Sequence, residues 1–330
     1  MKSSIRKAFL LFILAVTSLL FAACGGSGGG DSLAGGGIGG TGITASGAIT
    51  GFGSIFVNGI EFETADASRD IDGETSVSDG SDDDTVLGIG MVVTVVGTLN
   101  DDGVTGIADS IQYDNAVQGP VIDIDPIARR FNVLGIGVAV QGNTVFSNVT
   151  FDTLQTDDLV DVSGFFDVDG VLLATRIERK DGSESDVEVK GTVTGLAGTV
   201  FVLAVDYATA TYTVDAAAAE LPAGGLADNQ YVEVKGILDG DVITATRVDL
   251  KSESFDDTGS DSIASIEGIV TDFNGIDDFR VAGQRVNASS AEFNPASLED
   301  QPSLNGVEVE VDGPIQDGVL MASKVEAGDD

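Results

Sequence analysis

Apolar and polar residues alternate along Tyr231-Val-Glu-Val-Lys-Gly236, and near copies recur as Val93-Thr-Val-Val-Gly97, Val160-Asp-Val-Ser-Gly164 and Val309-Glu-Val-Asp-Gly313. A period of two is that of an extended strand whose valines face a core and whose alternate Asp, Glu, Lys or Ser residues face water. Each copy closes on glycine. An earlier Gly-x-hydrophobic stretch opens each unit, at Gly47, Gly119, Gly191 and Gly268. From these glycines to the closing ones the spacings are 50, 45, 45 and 45 residues. A constant frame of this kind marks an internal repeat.

Between those two strands lie further short alternations, Phe56-Val-Asn-Gly59, Phe131-Asn-Val133, Phe201-Val-Leu203 and Phe279-Arg-Val-Ala-Gly283. A third strand follows at Val138-Ala-Val140, Tyr212-Thr-Val214 or Arg285-Val-Asn287, then a variable insert such as Asp66–Asp84 or Asp215–Leu221. The last strand carries Ala108, Ala174, Ala245 or Ala322, with Ile111, Ile177, Val248 or Val325 three residues on. Its hairpin turns read Asn100-Asp-Asp-Gly103, Asp167-Val-Asp-Gly170, Asp239-Gly240 and Gln316-Asp-Gly318. Asp-Gly suits hairpin turns that need positive φ.

Five strands in about 65 residues, joined by hairpins, predict a small β-barrel. The fold class is therefore all-β, with four tandem five-stranded OB-like barrels over 47–114, 117–182, 187–252 and 263–326; an SH3-like barrel is the alternative. An acidic linker over 253–262, with Glu253, Asp256, Asp257 and Asp261, predicts that the last barrel moves most independently. The function is expected in the inserts between the repeated strands.

The ends add a compartment. Lys2, Arg6 and Lys7 precede an apolar run from Ala8 to Leu20, too short for a comfortable membrane span, and Phe21-Ala-Ala-Cys24 follows. This resembles the lipobox of bacterial lipoproteins, although Phe21 departs from the usual leucine. The resemblance implies a signal peptide over 1–23, removed before Cys24, and lipidation of that cysteine, the only one in the chain. Residues 24–46, rich in glycine, then form a tether with a reach of about 25 Å. Gly25, rather than aspartate, after the cysteine implies by the same resemblance an exported protein lipid-anchored at the outer membrane.

The Gly-x-Val, Phe-x-Val-x-Gly, Val-x-Val-x-Gly and Ala-x-x-Ile pattern resembles a repeat of uncharacterised bacterial lipoproteins, a domain of unknown function. The resemblance implies architecture and no activity. A looser likeness, to OB-fold haem chaperones, fails on chemistry because those need a histidine and this chain has none.

Charge and composition narrow the partners. The chain holds 16 basic and 54 acidic residues, a net of −38. Removing the three basic residues of 1–23 and no acid takes the net from −38 to −41. Such a surface repels nucleic acid and anionic membranes, so membrane attachment is expected through the lipid on Cys24 and partners among envelope proteins or glycans. Absence of histidine removes the commonest general base and the usual zinc sites.

No catalytic, cofactor-binding or metal residues are assigned, and the chain is read as a non-catalytic binding or envelope scaffold module. The alternative is a calcium-stabilised surface structural or adhesion protein. Ser68-Arg-Asp70-Ile-Asp72-Gly73 with Asp79, Asp82-Asp-Asp84 and Asp272-Phe-Asn-Gly275 imitate parts of calcium loops. A carboxylate-dependent hydrolase is the remaining reading. Arg176, Arg247 and Lys324 form a basic row on the last strands, for which cross-strand pairing with Glu233, Glu308 and Glu310 is the plainer account. Phe165, Phe166, Phe52, Leu196 and Phe273 are assigned to core or inter-domain packing.

Overall fold

The computed structural model describes residues 41–78, 86–182, 185–252, 254–255 and 262–328. The signal peptide, Cys24, the tether up to residue 40, Asp79, Asp82–Asp84 and most of the acidic linker lie outside the described residues.

The first unit holds β1 (Thr41–Gly51), β2 (Ile55–Val57), β3 (Ile60–Glu63), an inserted hairpin of β4 (Ser68–Ile71) and β5 (Glu74–Val77), then β6 (Val92–Leu99) and β7 (Thr105–Tyr113). The second holds β8 (Val117–Asp125), β9 (Arg130–Val133), β10 (Ile136–Ser147), a 3-10 turn over Phe151–Thr153, β11 (Leu159–Phe166) and β12 (Leu172–Arg179). The third holds β13 (Asp186–Ala197), β14 (Val200–Val205), β15 (Thr211–Asp215), β16 (Tyr231–Asp239) and β17 (Val242–Leu250). The fourth holds β18 (Ser262–Gly275), β19 (Asp278–Val281), β20 (Gln284–Asn287), β21 (Glu292–Asn294) and a 3-10 turn over Ala296–Leu298. It ends with β22 (Glu308–Gly313), β23 (Ile315–Gln316), β24 (Val319–Met321) and β25 (Lys324–Ala327).

Each unit closes the same way. In the third, β13 pairs antiparallel with β14 and β14 with β15, β15 runs parallel to β17, and β16 pairs antiparallel with both β17 and β13. The parallel contact between third and fifth strands recurs as β3 with β7, β10 with β12 and β20 with β24. This is OB connectivity; a barrel of antiparallel neighbours throughout, the SH3-like alternative, has no such contact.

The recurring glycine and alanine have one cause. In the first three units the ladder between fourth and fifth strands slips by one residue just before the closing glycine, and Gly97, Gly164 and Gly236 then face Ala108, Ala174 and Ala245. At each closing glycine the fifth-strand carbonyl sits where a Cβ would be, at 2.1 Å for Gly97, 2.2 Å for Gly164 and Gly313, and 2.3 Å for Gly236. No side chain fits there, so the bulge requires glycine. The turns between second and third strands use two residues of positive φ, Asn58-Gly59, Leu134-Gly135 and Ala282-Gly283. The expected positive φ also holds at the hairpin glycines Gly103, Gly170, Gly240 and Gly318.

The valines of the repeated strand face the barrel cores except Val96, which is exposed, and Phe131, Phe201 and Phe279 face the cores with them. In the first barrel Ile55, Val57 and Phe62 take that place, and Phe56 points away from it, half-buried.

Three expectations need correction. Ile43–Ser46 are not tether: β1 begins at Thr41, Ile43 and Ala45 are buried, and the backbone pairs with β6 on one side and β18 on the other. The fourth barrel is not separate, because β18 runs parallel to β1 with Gly42–Ser46 against Ser262–Ile266. The inserted hairpin of the first barrel is not a free acidic loop, since β4 pairs with β7 and Gly73 lies against the Arg247 guanidinium of the third barrel.

Candidate functional site

The alternating strand predicts water on its polar face, and the structure puts other barrels there instead. Asp161, Ser163 and Glu233 are buried, and Lys235, Glu308, Glu310 and Asp312 are half-buried. Five of these fourth-strand positions, Asp161, Glu233, Lys235, Glu310 and Asp312, and likewise Thr94, lie beside a polar position of the first strand of the same barrel. The pairs are Ser46 with Thr94, Gln118 with Asp161, Lys190 with Glu233, Glu188 with Lys235, Glu267 with Glu310 and Ser265 with Asp312. The first strands also pair across barrels, β1 with β18 and β8 with β13.

A polar junction joins the first three barrels. Tyr113 at the end of β7 donates its hydroxyl to Asp161 Oδ1 at 2.7 Å and lies 3.0 Å from Ser163 Oγ. Asn115, in the connection between first and second barrels, donates Nδ2 to Glu188 Oε2 at 2.8 Å and to Asp72 Oδ1 at 3.3 Å. Its carbonyl accepts from Lys190 Nζ at 2.5 Å. Lys235 pairs with Glu188 at 2.6 Å, Lys180 with Asp161 at 3.4 Å, and Lys251 with Asp114 at 2.7 Å and Glu233 at 3.0 Å.

Burial of so many acids has an electrostatic consequence. Burial, then the charges of Glu188 and Asp161, push the Asp72 carboxyl up to about 8. Burial lifts Asp161 to about 6 against the pull of Lys180 and Tyr113. Burial and Asp161 drive the Tyr113 hydroxyl well above its ordinary value, so it stays a proton donor. At the border of the first and fourth barrels, Glu267 faces Glu310 across the ladder, and burial followed by Asp312 raises Glu310 to about 7. There Asn58 donates to the carbonyls of Ser46 and Ser265, and Glu267 accepts the backbone N–H of Ala48.

Between the four barrels opens a cleft of about 750 Å³. Thr44, Ser46, Thr94 and Val96 of the first barrel line it, with Phe165 and Phe166 of the second, Lys190, Tyr207 and Tyr231 of the third, and Ile269 and Ala282 of the fourth. Phe166 stacks on Tyr207 across the border of second and third barrels, with centroids 4.1 Å apart and planes at 15°.

The residues singled out in the sequence are distributed as follows. Ser68 and Asp70 lie in β4 and Asp72 in its turn, where it accepts from Asn115; a strand sends successive side chains to opposite faces and cannot wrap an ion. Asp272 and Asn274 likewise lie in β18. Among the described residues no group of three or more His, Cys, Asp or Glu is placed to hold a metal ion. The basic row pairs along its own strand rather than across strands: Arg176 with Glu178 at 2.8 Å, Arg247 with Asp249 at 2.6 Å, and Lys324 with Glu326. Two of the three also clasp the first barrel, Arg176 donating to the Ile89 carbonyl at 3.2 Å and Arg247 to that of Gly73 at 2.9 Å. Phe165 and Phe166 sit in inter-barrel packing, and Phe273 packs on Phe279 at 5.8 Å. Phe52 and Leu196 lie against the cores of the first and third barrels.

The family model of a domain of unknown function, DUF5666, matches residues 118–178, 190–249 and 267–326, more than half of the chain. The chain belongs to this family. The three matches cover the second, third and fourth barrels, and the first barrel, outside them, repeats their connectivity. No curated protein matches the chain. Among solved structures, a chain of Drosophila Unr CSD456 is 12% identical with a TM-score of 0.19, the match covering 51% of this chain and 79% of that one.

Sequence reasoning missed Tyr113, Asn115 and Lys190. A signal existed for Lys190: with the repeats superposed, Glu188 and Lys190 carry the opposite charges to Lys235 and Glu233 at the places where first and fourth strands pair.

Proposed function

We propose that this chain is a non-catalytic binding scaffold of the cell envelope, exported and held at the outer membrane by lipid on Cys24. The observation that carries the reading is the open cleft of about 750 Å³ lined by residues from all four barrels. Its volume lies in the range of ligand sites, and its mixed apolar and polar lining suits recognition of a partner. The sequence contributes no histidine to serve as base or ligand, and the carboxylates that are drawn together are engaged in joining barrels.

The anchor supports the same reading, because a tethered body with a central cleft holds its partner at the membrane. The test has two arms. Incorporation of a palmitate analogue at Cys24 and its loss in Cys24→Ser checks the anchor. Cross-linking in intact cells, followed by purification from solubilised envelope, checks the scaffold; recovery of no envelope protein or glycan with the wild-type chain would count against it.

A further inference from the structure

We infer that the central cleft binds an uncharged carbohydrate chain, laid against the Phe166–Tyr207 stack and held at its edges by hydroxyl side chains. The inference rests on the binding reading above and assigns its ligand class.

The lining decides the chemistry by elimination. Among the described residues, Asp114, Lys190 and Lys251 are the charged side chains that line the cleft, and each is already paired, Lys251 with Asp114 and Glu233, Lys190 with Glu233 and the Asn115 carbonyl. A charged ligand would have to break these pairs, and the net charge of −38 further repels an anion. A wholly apolar ligand would strip water from Thr44, Thr94 and Gln112 without replacing their hydrogen bonds. An extended peptide binds by adding to a sheet edge, and the wall strands offer none: β1 is flanked by β6 and β18, β6 by β1 and β7, and β18 by β1 and β22.

What remains is a neutral ligand with apolar faces and hydroxyl edges, the pattern of a sugar ring. Tyr207 fits the apolar face. It lies in the turn between β14 and β15, the place where Asn58, Leu134 and Ala282 of the other barrels also have positive φ, and keeps 49% of its surface exposed while stacked on Phe166. An aromatic ring held flat at the margin of a cleft has the placement of a stacking platform. The hydroxyls of Thr44 and Thr94 come from β1 and β6, Thr94 donating to the buried Ser46 Oγ at 3.4 Å and keeping its lone pairs, and Gln112 adds an amide, already donating to Asp114 at 2.8 Å, whose oxygen can accept.

The experiment is calorimetric titration of the full-length, detergent-solubilised lipoprotein with maltohexaose, cellohexaose and chitohexaose, and with oligogalacturonate as the anionic counterpart. At least one neutral hexaose is expected to bind, with affinity unchanged by salt. Tyr207→Ala should weaken that binding by about tenfold, the worth of one stacking contact. Because removal of the ring could loosen the border of the second and third barrels, Thr94→Val serves as a fold-preserving variant, expected to weaken binding several-fold with an unchanged melting temperature. Binding of oligogalacturonate alone, binding indifferent to both variants, or binding of none of the hexaoses overturns the inference. Recovery of an envelope protein by cross-linking together with no hexaose binding would leave the scaffold standing and remove only the carbohydrate.

Discussion

The Tyr113 hydroxyl lies 2.7 Å from Asp161 Oδ1, joining the last strand of the first barrel to the fourth strand of the second. Both residues are buried, and Ser163 and Lys180 complete the surroundings of the carboxylate. A hydrogen bond to a charged acceptor in such a place contributes about 1.5–3 kcal/mol. Tyr113→Phe is expected to lower stability by that amount in urea unfolding and to raise the apparent pKa of Asp161, read by carboxyl NMR titration. An unchanged titration would show that the hydroxyl does not hold the carboxylate.

The junction makes stability depend on pH in a stated direction. Asp72, Asp161 and Glu310 all have carboxyls raised in the folded chain, to about 8, 6 and 7. The folded state therefore holds protons that the unfolded chain gives up in the ordinary carboxylate range. This contribution is fully present below about pH 4 and is lost as pH rises toward 8. Exposed acids held below their ordinary values, such as Asp102 and Asp278, act oppositely and only in the acid range. The melting temperature should fall between pH 5 and 8. Asp72→Asn keeps an oxygen for Asn115 and should flatten that fall while raising the melting temperature at pH 8; an identical slope in wild type and variant would contradict the assignment.

Two glycines four residues apart should behave differently. Gly236 faces the Thr244 carbonyl at 2.3 Å from an added Cβ, whereas Gly240 has open space and a φ of 58°. Gly240→Ala is expected to cost about 1–2 kcal/mol from backbone conformation alone. Gly236→Ala must shift the ladder and should cost more than about 3 kcal/mol, comparable with severe core damage. Chemical denaturation of both variants decides the point.

Arg247 of the third barrel donates to the Gly73 carbonyl, at the tip of the inserted hairpin of the first. Arg247→Ala should loosen the tip of that hairpin while leaving the β4–β7 ladder and the third barrel closed. Hydrogen exchange is expected to quicken around Gly73 and to stay unchanged over Tyr231–Asp239. Equal protection of the hairpin in both proteins would assign its docking to the β4–β7 ladder and the Asp72–Asn115 contact without Arg247.

The barrels were legible in the chain because their causes are local and repeated. Alternating valines fix which face is core, Asp-Gly fixes the hairpins, and the glycine and alanine of the fourth and fifth strands mark a bulge that no side chain can enter. Four copies of one frame multiply that signal. The apolar face of Tyr231–Gly236 could thus be read without a structure, down to Val232 and Val234 in the core.

The polar face of the same strand could not. Glu233 and Lys235 look like solvated charges, since a period of two says only that they point away from the valines and nothing about what lies beyond. Whether water or another barrel occupies that space depends on how the repeats dock, through pairs far apart in the chain such as β1 with β18, Tyr113 with Asp161 and Asn115 with Glu188. The sequence by itself determined the barrel and its number of copies, because each copy buries its own core. Only the tertiary structure decided that the barrels dock, bury polar-face charges and leave a cleft between them, because that arrangement rests on contacts between copies and leaves no periodic trace within one.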